Sequence, residues 1–130
     1  MIGADANDKR ILAWDVWNEP AGSKEVVALL PQVFEWARNA HPSQPLTSGV
    51  FQDTPTLADK PTPVTVIQVA QSDIISFHNY SWPEDFEKEV TWMDQYHRPV
   101  LCTEYMARSA GSTFDTMLPI AKAQHVAAIN

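Results

Sequence analysis

The 130-residue sequence predicts an α/β fold with a parallel sheet. Three observations carry that expectation. Short apolar runs alternate with amphipathic stretches at helical spacing, and such alternation implies parallel strands joined by right-handed crossovers. Breaks bearing proline or glycine fall between the elements, at 20–22, 41–45 and 98–99. Two of the apolar runs close on a glutamate, Glu19 and Glu104, and strand carboxyl ends are where parallel sheets keep their sites.

Residues 1–10 are polar, with Asp5, Asn7 and Asp8 suited to a turn. A first strand is expected at 11–18, apolar and aromatic through Trp17 and stopped by Pro20. Asp15 within it is unusual, because a buried carboxylate needs a hydrogen-bond partner. Ser23 suits the N-cap of a helix that carries Val26, Leu29, Leu30, Val33, Phe34 and Ala37 and runs to about Ala40. Pro31 inside it predicts a kink or two pieces, since proline lacks the amide and crowds the preceding turn. Residues 46–50 read as a second strand and 51–63 as a polar loop. Residues 64–71 suit a short helix, but Val64, Thr65, Val66, Ile67 and Val69 would equally suit a strand. A third strand is expected at 73–78. Pro83 then fits the first position of a helix striped by Phe86, Val90, Met93 and Tyr96. A fourth strand is expected at 100–104. Ser112-Thr113-Phe114-Asp115 is a capping-box variant opening a helix to about Lys122, with Pro119 inside. Residues 125–130 read as a fifth strand.

Composition narrows the function classes. The chain is 45% hydrophobic and 19% charged, as folded domains are. Its net charge is -7 and no basic patch is visible, so nucleic acid is not an expected partner. Cys102 is the single cysteine, which excludes an intramolecular disulfide and a cysteine-based metal site. No His-x-x-x-His or Cys/His spacing supports a metal, and no cofactor is expected. No apolar run approaches the roughly 20 residues of a membrane span, so no membrane partner is expected. The N-terminus lacks the basic and apolar regions of a signal peptide. That leaves the compartment of a longer parent open, secreted and periplasmic locations included.

The two strand-end glutamates frame the chemistry, with His78-Asn79-Tyr80 closing the strand between them. In a parallel sheet all four side chains, Glu19, His78, Tyr80 and Glu104, lie at one rim. Two carboxyls facing each other across a sugar are what retaining glycoside hydrolysis needs, one as acid and then base, the other as nucleophile. The two must differ in pKa, and a neighbouring donor is one way to keep the nucleophile ionised.

The run Trp14-Asp15-Val16-Trp17-Asn18-Glu19-Pro20 resembles the strand-four motif of the retaining β-glycosidase clan built on (β/α)8 barrels, family-5 cellulases among them. His78 and Tyr80 are similar to the His-x-Tyr of its strand six, and Thr103-Glu104-Tyr105 to its strand-seven nucleophile. The resemblance implies that Glu19 is the acid/base and Glu104 the nucleophile. It places Asn18 on the sugar 2-hydroxyl and has Tyr80 donate to Glu104. His78 and Tyr80 join Asn18 as expected substrate-binding residues. Trp82 is the best of the strand-end aromatics for stacking on a sugar ring. The implied fold is a partial TIM barrel holding strands four to eight only. Residues 1–130 would then be the C-terminal part of a catalytic barrel, without its N-terminal strands and the end of its last unit. The implied enzyme is cellulase-like and acts on a β-linked glycan, with this piece inactive alone and prone to self-association through open strand edges. Two other readings stand beside it. One is a carbohydrate-binding remnant without turnover. The other is an unrelated α/β domain, which would leave Glu19 and Glu104 far apart.

Overall fold

The computed structural model describes residues 1–51 and 60–130. The loop expected at 51–63 falls mainly on 52–59, outside the described residues. The described elements are β1 (Trp14–Asp15), α1 (Lys24–Asn39), β2 (Leu46–Thr47), α2 (Pro63–Gln71), β3 (Ile75–His78), α3 (Pro83–Asp94), β4 (Val100–Glu104), a 3-10 turn (Arg108–Ala110), α4 (Phe114–Ala123) and β5 (Ala127–Ala128).

All strand pairings in these sheets are parallel. β1 pairs with β2, and β4 lies between β3 and β5. A parallel bridge between Val50 and Phe77 links the two groups. There the Val50 amide donates to Ser76 O at 2.9 Å and the His78 amide to Val50 O at 2.7 Å. Each strand therefore neighbours the next in chain order. That order suits a barrel wall, whereas a doubly wound sheet reverses direction at its switch point.

Several strands are shorter than expected. β1 covers two residues of the predicted 11–18. Past Asp15 the Val16 amide still donates to Thr47 O, but the Trp17 amide turns to the Asp15 side chain. β2 covers two residues of the predicted 46–50, because the Gly49 carbonyl is taken by the Gln68 side-chain amide of α2 at 2.5 Å. β5 is cut to two residues, and His125 before it is left-handed with φ 57°.

The helices settle two open points. α1 is one continuous span through Pro31, not two pieces. Ser23 Oγ caps it by accepting the Val26 amide at 3.3 Å. Leu30, Phe34 and Ala37, at i, i+4 and i+7, bury one stripe, and that packing outweighs the amide bond proline cannot make. Residues 63–71 form a helix, with Thr62 as N-cap and Pro63 in the first turn. Burial of Val64 in one apolar cluster and of Val69 in the other overrides their β-branched preference.

Two apolar clusters result. Leu30, Phe34, Ala37, Leu46 and Val64 join α1, α2 and β2. Phe77, Phe86, Val90, Met93, Cys102 and Met117 lead the second, between β3–β4 and the helices α3 and α4. Each such side chain contributes roughly 1.5–3 kcal/mol when fully buried. Along β3 the two-residue period sends Ile75 and Phe77 into this cluster and leaves Ser76 and His78 on the other face. Ser76 Oγ meets Thr47 Oγ1 there at 2.7 Å, a buried hydroxyl pair at the junction of the two sheets. A groove of about 450 Å³ runs along the free edge of β1, lined in part by Trp14, Val16, Val33 and Trp36. No described helix is long and apolar enough to cross a membrane.

Candidate active site

Four of the six side chains singled out from sequence meet at the carboxyl ends of β1, β3 and β4. Each arrives by a different local device. Glu19 follows a strand that ends four residues earlier, and its backbone is left-handed, φ 46°. A non-glycine residue in that region carries local strain, a feature that clusters at functional sites. His78 is the last residue of β3 and, by the alternation already described, faces away from the helices.

Glu104 reaches the same face through an irregularity. Phe77 pairs with Cys102, yet His78 pairs with Glu104, so Thr103 is an extra residue on β4. Strict alternation would send Glu104 to the helix side with Cys102. The bulge returns it to the side of His78, the re-aiming for which such insertions are known. Thr103 Oγ1 donates to Phe77 O at 3.4 Å across this step.

The imidazole of His78 stands between the two carboxylates. Nδ1 lies 2.6 Å from Glu19 Oε1 and Nε2 lies 3.5 Å from Glu104 Oε1. Opposite an ionised carboxylate, Nδ1 carries the proton and donates. The His78 side chain is 2% exposed, whereas those of Glu19 and Glu104 are 37% and 38% exposed. The carboxylates are therefore open to a ligand and the histidine is not; both its nitrogens face protein. Gly49 floors the ring, since a Cβ built there would lie 3.1 Å from His78 Nε2. One oxygen each of Glu19 and Glu104 and one nitrogen of His78 lie within 4.8 Å of one another, the grouping among the described residues that could share a cation.

The Tyr80 hydroxyl donates to Glu104 Oε2. That hydrogen bond to the carboxylate, with burial and the charges of Glu104 and Glu19 adding, pushes the Tyr80 pKa up to about 12. Asn18 is exposed beside Glu19. Trp82 is 58% exposed and precedes α3 as its N-cap residue. Its ring packs on Gly111, where a Cβ would fall 2.8 Å from Trp82 Cζ3 and where φ is 73°. The structure thus gathers Glu19, His78, Tyr80 and Glu104 directly, and holds Trp82 by the turn between β4 and α4.

Three contributors carried no clear sequence signal. Glu89, on α3, is fully buried and accepts from Asn79 Nδ2 at 2.6 Å, anchoring the residue between His78 and Tyr80. Gly49 looked like an ordinary strand residue. Asp15 drew notice only as an oddity; its carboxylate accepts the Trp17 amide at 3.1 Å.

Residues 1–119 match the family described as glycosyl hydrolases family 2, TIM barrel domain. The chain is also 26% identical over 115 residues to a β-glucuronidase of Chlorocebus aethiops, and 25% identical over 115 residues to the β-glucuronidase of Homo sapiens. Each match covers 84% of this chain and 17% of the relative, so the chain spans about a sixth of the length of these enzymes. The family returned is family 2, not the family-5 cellulases that the strand-end motifs first suggested.

Proposed function

Because the chain belongs to the glycosyl hydrolase family 2 TIM-barrel domain family, we propose that it carries the reacting carboxylates of a retaining β-glycosidase. Residues 1–130 are, in this reading, the C-terminal part of a catalytic barrel that holds its strands four to eight. The observation that carries it is that Glu19 and Glu104 flank one imidazole, with one oxygen of each no more than 4.8 Å from the other. Retaining enzymes hold their carboxyls about 5–5.5 Å apart, and inverting ones leave about 6.5–9.5 Å for a water.

Glu104, whose carboxylate accepts the Tyr80 hydroxyl, attacks the anomeric carbon. Glu19 gives its proton to the departing glycosidic oxygen. A glycosyl ester to Glu104 results. Glu19, now a carboxylate, takes a proton from water as that water attacks the same carbon and frees Glu104. When Glu19 is ionised, His78 Nδ1–H donates to it and holds the carboxylate in place. The substrate in this reading is a β-linked glycoside. Asn18 reaches its 2-hydroxyl, Trp82 offers a ring to stack on, and no cofactor takes part.

The test uses the full-length enzyme that contains this chain. Glu104→Ala should lose on the order of 10⁴-fold or more in kcat, and azide should restore turnover with an inverted glycosyl azide as product. Glu19→Ala should keep kcat/KM on glycosides with activated aryl leaving groups and lose about 10²–10⁴-fold on unactivated ones. Equal losses on both substrate types would overturn the assignment of Glu19.

A further inference from the structure

The acid/base residue in this reading stands on strained backbone at the end of a very short strand, and something must hold it there. We infer that Asp15 is a positioning residue for Glu19. The inference rests on the retaining reading given above.

Asp15 is the last residue of β1. Beyond it the chain leaves the ladder and reaches Glu19 with φ 46°. Three hydrogen bonds fix the intervening segment. Asp15 Oδ1 accepts the Trp17 amide at 3.1 Å, the side-chain-to-backbone turn that Asp favours two residues ahead of itself. The Val16 amide donates to Thr47 O at 2.9 Å. Ser48 Oγ donates to Trp17 O at 2.7 Å. The Asp15 carboxylate therefore ties down the segment that presents Glu19.

The Trp17 amide lies past the last paired residue of β1, so the β1–β2 ladder does not supply it with a carbonyl. Asp15 keeps some exposed surface at the free edge of β1. Even so, desolvation of its carboxyl pushes its pKa up, with the Trp17 hydrogen bond acting against that. What the Trp17 amide uses at this position is an acceptor oxygen, which a neutral side chain can also supply.

The role differs from that of a general stabiliser in what it protects. Losing Asp15 should free the Trp17–Glu19 segment and let Glu19 drift from His78 and from the leaving oxygen. Proton donation suffers, while attack by Glu104 on a substrate that needs no proton does not.

The experiment compares Asp15→Ala and Asp15→Asn with Glu19→Ala in the full-length enzyme, measuring kcat/KM on an activated aryl glycoside and on an unactivated one. Asp15→Ala should lose about 10–100-fold on the unactivated substrate, as a displacement near 1 Å does, and little on the activated one. Asp15→Asn keeps an oxygen for the Trp17 amide and should restore most of that loss. Where Asp15→Ala does not fold, Asp15→Ser takes its place, since its hydroxyl can still accept the Trp17 amide, though more weakly than a carboxylate. Its loss should fall between those of the other two and keep the same substrate preference. Equal losses on both substrates, or a loss in Asp15→Asn as selective and as large as in Asp15→Ala, overturn the inference. A Glu19→Ala enzyme without the leaving-group preference would instead overturn the retaining reading beneath it.

Discussion

His78 Nδ1 lies 2.6 Å from Glu19 while its Nε2 faces Glu104 at 3.5 Å, so one buried ring touches both carboxylates of the cluster. The geometry of the pair depends on where that ring sits, and the ring's position depends on Gly49.

Gly49→Ala should therefore be a sharp probe. Its Cβ would lie 3.1 Å from Nε2, close enough to displace the ring by a few tenths of an ångström. Activity should fall by about tenfold or more, with KM changed little, because the misplacement affects reacting groups and not the sugar contacts. Thermal unfolding should show a near-native Tm. A fall in Tm that accounts for the lost activity would argue against this.

Tyr80 should ionise late. Its pKa is pushed up to about 12 by its hydrogen bond to Glu104, against about 10 for an unfolded tyrosine. The raised value favours the protonated form in the fold. The stabilisation is thus complete below pH 10 and disappears as pH rises through 10 to about 12. An ultraviolet titration of wild type minus Tyr80→Phe should show that single late transition. A difference curve centred near 10 would remove the bond to Glu104.

The backbone at Glu19 reverses a familiar ranking. At most positions alanine is more stable than glycine. With φ 46°, Glu19→Gly should be more stable than Glu19→Ala by about 1 kcal/mol, a few degrees in Tm. Both variants lose the carboxylate, so the comparison isolates the backbone. Alanine ranking above glycine would mean that this turn relaxes once the side chain is gone.

The chain in isolation should self-associate. β1 lacks a described neighbour on its outer side, and β5 likewise. Beside β1, Trp36 is 59% exposed along the groove. Open parallel edges with apolar flanks pair with other chains. Sedimentation should show dimers or larger species, with a weakened near-ultraviolet signal. A monodisperse, cooperatively unfolding monomer would contradict this.

Much of the fold was legible because burial leaves local marks. The apolar runs at β3 and β4 and the stripe on α1 gave element types directly. Residues 64–71 were ambiguous from propensity alone, and the Thr62–Pro63 start together with burial decided for helix. β4 spans the expected 100–104, but the lengths of β1 and β2 were not legible, since they depend on partners: Gln68 on the Gly49 carbonyl, Asp15 on the Trp17 amide. The four side chains at the rim could be read because each sits beside a strand end. Glu89 and Gly49 could not, because their roles lie in contacts with residues far along the chain.

The extra residue on β4 has a consequence for how relatives should be aligned. Between Cys102 and Glu104, a homologue with one residue fewer would still set its carboxylate opposite the imidazole, on a regular strand. A one-residue gap there is silent in three dimensions. The same gap between Ile75 and His78 on β3 would swing the histidine into the helices and empty the space between the carboxylates. Adjacent strands of one sheet thus carry opposite tolerances to the same edit. An alignment that treats both gaps alike will misjudge which members of the family keep the pair.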